Sequence, residues 1–157
     1  FRKHNFKNTA VYTEPVMNQT GLNEWQKTAY RLAASVIELL DPEFAAGEYL
    51  VNFSHMNSAD HYVKKHVDKD DITHQYLLGF GDYTGDVKLF VYDANEQFNQ
   101  AFDCKNKILK VDGRLPHRVR KTPQFDGNRF AVIWYKSYDR RITQPTPILE
   151  SPAFVYP

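Results

Sequence analysis

The hydrophobic positions of this sequence change their period about a quarter of the way along the chain. In the first part, apolar residues recur at steps of three and four, at Leu22, Trp25, Ala29, Leu32, Val36 and Leu39. This spacing places them on one side of an amphipathic helix. Thr20 is suited to cap its start, and Asp41-Pro42 is suited to end it. The pattern predicts one helix between Thr20 and Pro42.

Beyond Pro42 the pattern changes to short segments of the kind that form β-strands. Gly, Asp, Asn and Pro separate them at spacings typical of sandwiches and barrels. The segments are EYLVNFS, YVKKHVD, ITHQYLLGFG, VKLFVYD, KILKVDG, HRVRK and RFAVIWYKS. The tail QPTPILESPAFVYP carries four of the eight prolines, so we expect it to run extended over the surface. The pattern favours a mainly β fold, an antiparallel sandwich or barrel packed against the N-terminal helix.

Composition limits the class of protein. The 157 residues suit one domain, and 42% of them are hydrophobic, which is enough for a buried core. The net charge of +1 neither implies nor excludes a polyanionic partner. Cys104 is the one cysteine, which excludes an intramolecular disulfide and a multi-thiolate metal site and favours an intracellular compartment.

The ends and the apolar runs of the sequence add three expectations. There is no apolar run of the about 20 residues that a membrane span needs, so we expect no membrane contact. The opening segment lacks the apolar middle of a signal peptide. The chain begins with Phe1 rather than Met, so we expect a fragment whose targeting segment can lie outside it. We expect a monomer.

The stretch KKHVDKDD places His66 and Asp68 two positions apart. Residues i and i+2 of a strand project from the same face, so the two side chains can converge on one metal ion. Such a pair alone is more often a surface histidine beside a solvated aspartate, so a third ligand is required. His117 is the better placed candidate, because it begins a strand after a tight turn at Asp112-Gly113. We expect His74 to be a surface or pocket-rim residue.

Two histidines and one carboxylate leave three positions of a metal ion open, the arrangement that non-haem iron(II) oxygenases use. If 2-oxoglutarate were the co-substrate, its distal carboxylate would need a cation, and an arginine is suited to that role. Arg129 lies twelve residues after His117 and begins a strongly apolar strand. One face of that strand carries Arg129, Ala131, Ile133 and Tyr135, and the other carries Phe130, Val132 and Trp134. Without the metal ligands, Arg129 would be an ordinary strand-end arginine in water.

The sequence resembles the iron(II)/2-oxoglutarate dioxygenase superfamily in the order of four residues. They are His66-x-Asp68, then His117, then Arg129. The resemblance implies a double-stranded β-helix, a jelly-roll or cupin-like fold. It implies a single domain over 1–157, with a support segment over 1–45, the β-helix core over 46–140 and an extended Pro-rich tail over 141–157. The stretches GDYTGDVKLFVYD and NKILKVDGRLPHRV are similar to the TET/JBP branch of base oxygenases, and YVKKHVD is also similar to prolyl hydroxylases.

The resemblance implies that His66, Asp68 and His117 are the catalytic iron ligands and that Arg129 holds 2-oxoglutarate. The sequence departs from the family at two positions. Asp86 replaces a glycine of the turn, and Ala131 replaces a serine that assists the arginine in many relatives. Three residues could take the place of that serine: Asn52, Ser54 and Tyr76.

The implied reaction hydroxylates a C–H bond and converts 2-oxoglutarate to succinate, and it requires Fe(II), 2-oxoglutarate and O₂. We expect a pyrimidine base in nucleic acid as the substrate. Five basic residues flank the ligands and could form a rim around the pocket mouth, although a solvated charged face is an equal interpretation: Lys64, Lys65, Arg118, Arg120 and Lys121. A prolyl side chain of a peptide or a small metabolite is the alternative, and a non-catalytic binding module is the other class of function.

Overall fold

The structure is a computed structural model of the chain, and it describes residues 9–12, 24–57, 63–137 and 145–156. Within these ranges the chain forms two helices, α1 (Glu24–Leu40) and α2 (Pro42–Ala45). The strands are β1 (Thr9–Tyr12), β2 (Leu50–Met56), β3 (Val63–His66), β4 (Gln75–Gly81), β5 (Val87–Tyr92), β6 (Phe98–Asp103), β7 (Ile108–Val111), β8 (His117–Lys121), β9 (Arg129–Tyr135) and β10 (Ala153–Tyr156). In the described part of the chain, neither helix has the length and apolar character needed to cross a membrane.

The strands form two antiparallel sheets. One has the order β1-β2-β9-β4-β7-β10, and the other has the order β3-β8-β5-β6. An apolar cluster fills the space between them, with Leu77 and Leu109 from the first sheet and Leu89 and Val91 from the second. Consecutive strands cross repeatedly from one sheet to the other, which is the arrangement of a double-stranded β-helix. The predicted fold class is confirmed.

Helix α1 covers the outer face of the six-stranded sheet. Its buried residues Tyr30, Ala33 and Ile37 belong to a second apolar cluster, which includes Val132 and Trp134 of β9. The indole Nε1 of Trp134 donates a hydrogen bond to the backbone oxygen of Ala33 at 2.9 Å. The helix therefore supports the strand that begins with Arg129.

The sequence pattern predicted the wrong side of this helix as the buried one. Three residues of the predicted apolar stripe are exposed: Trp25 (66%), Leu32 (64%) and Leu39 (88%). Ala29 and Val36 are partly buried, and Thr20 and Leu22 lie outside the described residues. The stripe that contacts the sheet also has three- and four-residue spacing, so the periodicity could not select between the two.

The predicted end of the helix is confirmed. The carboxylate of Asp41 accepts a hydrogen bond from the backbone N–H of Phe44 at 2.9 Å, and Pro42 is the first residue of α2. An aspartate cap followed by proline is a favourable start for a helix, because proline has no N–H that would need a partner there. The backbone of Asp41 is not helical (φ −146°, ψ 83°), so α1 and α2 are separate helices.

Strand β9 occupies the middle of the six-stranded sheet. It pairs with β2 from Arg129 to Tyr135 and with β4 from Arg129 to Trp134. As predicted, its two faces differ, since Val132 and Trp134 pack toward α1. The opposite face lines the space between the sheets, with Arg129, Ala131, Ile133 and Tyr135.

The segments on either side of the predicted core contribute strands of their own. Strand β1, in the predicted support segment, pairs with β2 of the core. Strand β10, in the predicted tail, pairs with β7 of the core. The expectation that the tail only runs over the surface is corrected, because Ala153 and Phe154 pair with Lys110 and Leu109 at the edge of the sheet. The single domain over 1–157 stays a prediction.

Candidate metal centre

The three predicted ligands meet at one end of the space between the sheets. His66 ends β3 and His117 begins β8, and the two residues are opposite each other in the pairing of these strands. His66 Nε2 lies 3.8 Å from Asp68 Oδ1, and His117 Nε2 lies 3.6 Å from Asp68 Oδ2. One ligand atom from each residue falls within 4.8 Å of the others.

Backbone carbonyls fix the orientation of both imidazoles. His66 Nδ1 lies 2.8 Å from the oxygen of Lys64, and His117 Nδ1 lies 2.9 Å from the oxygen of Leu115. A carbonyl oxygen only accepts hydrogen bonds, so Nδ1 is the protonated nitrogen of each neutral ring. In that tautomer the lone pair of each ring lies on Nε2, and both Nε2 atoms face Asp68.

The turn before β8 holds Asp68 in place. The backbone N–H of Asp68 donates to the oxygen of Gly113 at 2.8 Å. A Cβ at position 113 would lie 3.0 Å from Asp68 Oδ2 and 2.7 Å from Gln75 Nε2. Any larger residue would therefore push on the carboxylate, which explains glycine at this position of the predicted Asp112-Gly113 turn.

The donor set fits a divalent transition metal. Two imidazoles and one carboxylate are the ligands of a facial triad. The spacings of 3.6 and 3.8 Å to Asp68, within a cluster that spans 4.8 Å, are wider than the about 3.0 Å expected between neighbouring ligands around one ion, so the side chains would have to close in around it. His117 is buried, whereas the side chain of His66 is 39% exposed. The site is thus open on the side of His66, where further ligands could bind.

A cavity of about 130 Å³ extends from these residues between the sheets. Its middle is apolar, with Leu77, Leu89, Val119 and Ile133 in its walls. Along β4 the inward-facing positions run from Gln75, beside Asp68 at the metal end, to Gly79, beside the guanidinium of Arg129. Four residues of a strand span about 13 Å. The cavity is therefore an elongated slot with the candidate metal centre at one end and the guanidinium of Arg129 at the other.

Arg129 is a buried cation, 6% exposed. Burial holds the pKa of its guanidinium below the ordinary value, and the Tyr83 hydroxyl is hydrogen-bonded to it. Among the described residues, no carboxylate lies within ion-pair distance of Arg129. A buried charge without a counter-ion is costly. An anionic ligand in the cavity would remove that cost.

The proposed helpers of Arg129 lie in different places. Asn52 and Ser54 line the cavity, and the Asn52 Oδ1 atom is buried without a hydrogen-bond partner among the described residues. The predicted role of Tyr76 is wrong, because its side chain lies outside the cavity. It faces α2, and its hydroxyl donates a hydrogen bond to Asp41 Oδ2 at 2.5 Å. Tyr83 was not among the residues predicted to help Arg129, although it lies within the GDYTGDVKLFVYD stretch that carried the resemblance.

His74 is neither a surface residue nor a part of the cavity rim. Its ring is half-buried and packs against Phe44 and Tyr76, with ring centroids 5.6 and 5.3 Å away. Burial, followed by the charge of Lys110, lowers the pKa of His74 to about 4. The choice of His117 over His74 as the third member of the cluster is consistent with this placement.

Of the two interpretations of the flanking basic residues, a rim around the cavity mouth or a solvated charged face, the second describes Arg118 and Arg120. Arg118 and Arg120 alternate along β8 with His117 and Val119, which line the cavity, so they project from the outer face of the sheet. Arg118 lies 5.4 Å from the ring centroids of Phe90 and Tyr92 on that face. Two further cations have neighbours of their own: Lys65 pairs with Glu96, and Lys121 Nζ donates to the oxygen of Asn57.

The fold and the site together define a double-stranded β-helix with a candidate His-Asp-His metal centre. No family model matches the sequence, and no curated protein sequence matches it. The fold is similar to the crystal structure of a prolyl-4-hydroxylase from Pseudomonas putida, with a TM-score of 0.52 and 12% sequence identity. The similarity covers 85% of this chain and 71% of that chain. At this identity it shows the fold, and membership of the TET/JBP branch stays a prediction.

Proposed function

We propose that this protein is an iron(II)- and 2-oxoglutarate-dependent dioxygenase that hydroxylates a C–H bond. The observation that carries the proposal is the pairing of two features along one cavity. His66, Asp68 and His117 form an open three-ligand metal site, and Arg129 provides a buried cation at the far end. A structural metal site is normally closed by a fourth protein ligand, and it has no use for a distant cation.

The residues have separate tasks in this proposal. Iron bound by the three ligands supplies, with O₂ and 2-oxoglutarate, the oxidising chemistry. The Nδ1 hydrogen bonds keep both Nε2 atoms directed at the ion. Arg129 neutralises and orients the distal carboxylate of the co-substrate. The apolar walls at Leu77, Leu89 and Val119 exclude water from the slot, which strengthens the interaction with Arg129.

An anaerobic titration tests the proposal. We expect wild-type protein with Fe(II) to develop a weak visible charge-transfer band when 2-oxoglutarate is added, and to release succinate when O₂ is admitted. His66→Ala is the control and should show neither signal. Metal binding by the wild type without a band and without succinate would contradict the dioxygenase and favour a non-catalytic binding module.

For the substrate, we propose a prolyl side chain of a peptide as the first candidate. The cavity of about 130 Å³ has little room beyond the co-substrate. The substrate therefore meets the metal from the exposed side of His66, which suits a group carried on a larger molecule. The neighbour in fold is by name a prolyl-4-hydroxylase, and the stretch YVKKHVD is similar to such enzymes.

A pyrimidine base in nucleic acid is the second candidate. Its support is the cationic outer face of the four-stranded sheet, with Lys88, Arg118 and Arg120, and the resemblance of GDYTGDVKLFVYD to base oxygenases. The nucleic-acid candidate is ranked below the peptide because Arg118 and Arg120 project away from the cavity. No separate feature supports a small metabolite.

A substrate panel separates the candidates. The Fe(II)-loaded protein is incubated with proline-rich peptides and with thymine- and 5-methylcytosine-containing oligonucleotides, single- and double-stranded. Succinate release and a mass gain of one oxygen are followed for each. We expect the oxygen on a peptide, whereas its appearance on an oligonucleotide would reverse the ranking.

A further inference from the structure

One turn orients two of the three candidate metal ligands. In the turn between β7 and β8, the oxygen of Gly113 accepts the backbone N–H of Asp68 at 2.8 Å. Two residues later, the oxygen of Leu115 accepts His117 Nδ1–H at 2.9 Å. The geometry of the metal centre therefore depends on how firmly this turn is held.

Arg114 lies between these two carbonyls, and its side chain extends to the C-terminal segment. Its Nε and Nη2 atoms donate to Asp112 Oδ1 at 2.8 Å and Oδ2 at 2.6 Å. Its Nη1 donates to the oxygen of Thr146 at 2.7 Å, and Nη2 donates to the oxygen of Pro147 at 3.1 Å. Arg114 thus joins the turn to residues 146–149.

Asp112 completes this connection from inside the protein. Its side chain is fully buried, and Oδ2 also accepts the backbone N–H of Leu149 at 2.9 Å. Burial acts to raise the pKa of this carboxyl, but hydrogen bonds from Arg114 and Leu149 outweigh it and hold the pKa below the ordinary value. The carboxylate therefore stays charged and keeps both partners at neutral pH.

The same segment also contacts the chain that follows Asp68. The backbone N–H of Thr146 donates to the oxygen of Ile72 at 2.8 Å, and its hydroxyl donates to the hydroxyl of Thr73 at 2.9 Å. Arg114 Nη1 donates to the same oxygen of Ile72 at 3.3 Å. Residues 146–149 therefore join the two stretches of chain that carry Asp68 and His117.

We propose that residues 146–149 form a strap that fixes the metal ligands through Arg114, so that metal affinity depends on this C-terminal segment. The inference rests on the proposed metal site and adds to it a positioning residue that touches neither metal nor substrate. Residues that orient metal ligands typically contribute about 10- to 100-fold to metal affinity.

The first test replaces the arginine. Arg114→Lys keeps the charge but cannot form the paired bonds to Asp112 and the tail carbonyls. Arg118→Lys is the matched control, because Arg118 is also half-buried and lies on the outer face of the sheet. Co(II) binding is measured by calorimetry and by the visible absorption spectrum, at a temperature where both variants are fully folded by circular dichroism.

The second test acts from the tail. Leu149→Pro removes the N–H that donates to Asp112, and Leu149→Ala retains it, so the pair separates the loss of that hydrogen bond from the loss of the leucine side chain. We expect Arg114→Lys and Leu149→Pro to weaken Co(II) binding about 10-fold or more and to shift its spectrum. The two control variants should match the wild type in both measurements.

The outcomes separate the strap from the site. Wild-type affinity and spectrum in both Arg114→Lys and Leu149→Pro would overturn the strap and leave the metal centre standing. A wild-type protein that binds no Co(II) would overturn the metal centre and the strap with it. A changed spectrum in the folded variants supports the strap, because a loss of stability alone would not alter the geometry of the bound ion.

Discussion

His66 and His117 each provide one of only three protein ligands in the proposed centre, so neither can be lost. We expect His66→Ala and His117→Ala to abolish metal binding and succinate formation. Both variants should stay folded, with the circular dichroism spectrum of the wild type. The control is His74→Ala, which removes a histidine outside the cavity and should retain Co(II) affinity. Substantial turnover in either ligand variant would remove the residue from the proposed site.

A change at Arg129 should affect the binding of 2-oxoglutarate and not the binding of the substrate. Arg129→Lys keeps a positive charge but loses the planar fork, so the KM for 2-oxoglutarate should rise about 10-fold or more while the KM for the substrate changes little. Tyr83→Phe removes only the hydroxyl bonded to Arg129 and should give a smaller change in the same direction. The exposed Arg120→Lys serves as control, and equal KM values for 2-oxoglutarate in Arg129→Lys and wild type would move the role elsewhere.

His74 makes the stability of the protein depend on pH. Its pKa is lowered by burial to about 4 from the ordinary 6.5. Between these values the unfolded chain binds a proton that the folded protein excludes, so the free energy of unfolding falls as the pH falls from 6.5 to 4. We expect urea denaturation to show a smaller loss over this window in His74→Gln than in wild type. Parallel curves for the two proteins would contradict the buried, neutral state of His74.

Single residues also show what the sequence could and could not predict about the site. The residues His66, Asp68 and His117 were predictable, and the tight turn before His117 was a correct local signal. The strand alternation proposed for His66 and Asp68 is wrong, because β3 ends at His66 and Asp68 lies beyond it. The orienting partners of the ligands were not predictable, since the oxygen of Gly113 reaches Asp68 across 45 residues of chain through tertiary contact alone. Tyr83 was not selected for the same reason, because its hydroxyl meets Arg129 only in the folded sheet.

Among the elements, α1 supports the sheet through one of its two apolar stripes. Ile37 is fully buried against the sheet, whereas Leu39 is 88% exposed. We expect Ile37→Ala to lower the free energy of unfolding by about 2–5 kcal/mol, and Leu39→Ala to change it by about 0.5 kcal/mol or less. Chemical denaturation measures both, and similar losses in the two variants would reverse the assignment of the buried stripe.

The strands were more predictable than the face of the helix. In β9 the side chains alternate between two faces, and the sequence grouped them correctly: Arg129, Ala131, Ile133 and Tyr135 line the cavity, while Val132 and Trp134 pack toward α1. A helix with two stripes of similar hydrophobicity offers no such test, because only the sheet beneath selects Tyr30, Ala33 and Ile37. Strand β10 was not predicted, since the prolines around it favoured an extended segment without pairing.

For the whole molecule, the distribution of charge predicts the response to salt. The net charge is +1, and the cations Arg118 and Arg120 face away from the cavity. A peptide substrate should therefore keep nearly the same KM between about 50 and 200 mM salt, whereas a nucleic acid held through several phosphates should lose affinity steeply. Steady-state assays over this range measure the difference, with sodium chloride replaced by a neutral osmolyte as control. A steep loss would favour the nucleic-acid candidate.

The position of β9 between β2 and β4 has a consequence for biosynthesis. The ribosome makes β2 and β4 before β9, and these two strands pair with β9 rather than with each other. At about 5–20 residues per second, the strand that ends at Tyr135 follows the end of β4 at Gly81 by several seconds. During that interval the edges of β2 and β4 that pair with β9 have no partner strand, and unpaired edges are templates for pairing with other chains. Arg129 therefore reaches the cavity only when the last gap in the central sheet closes.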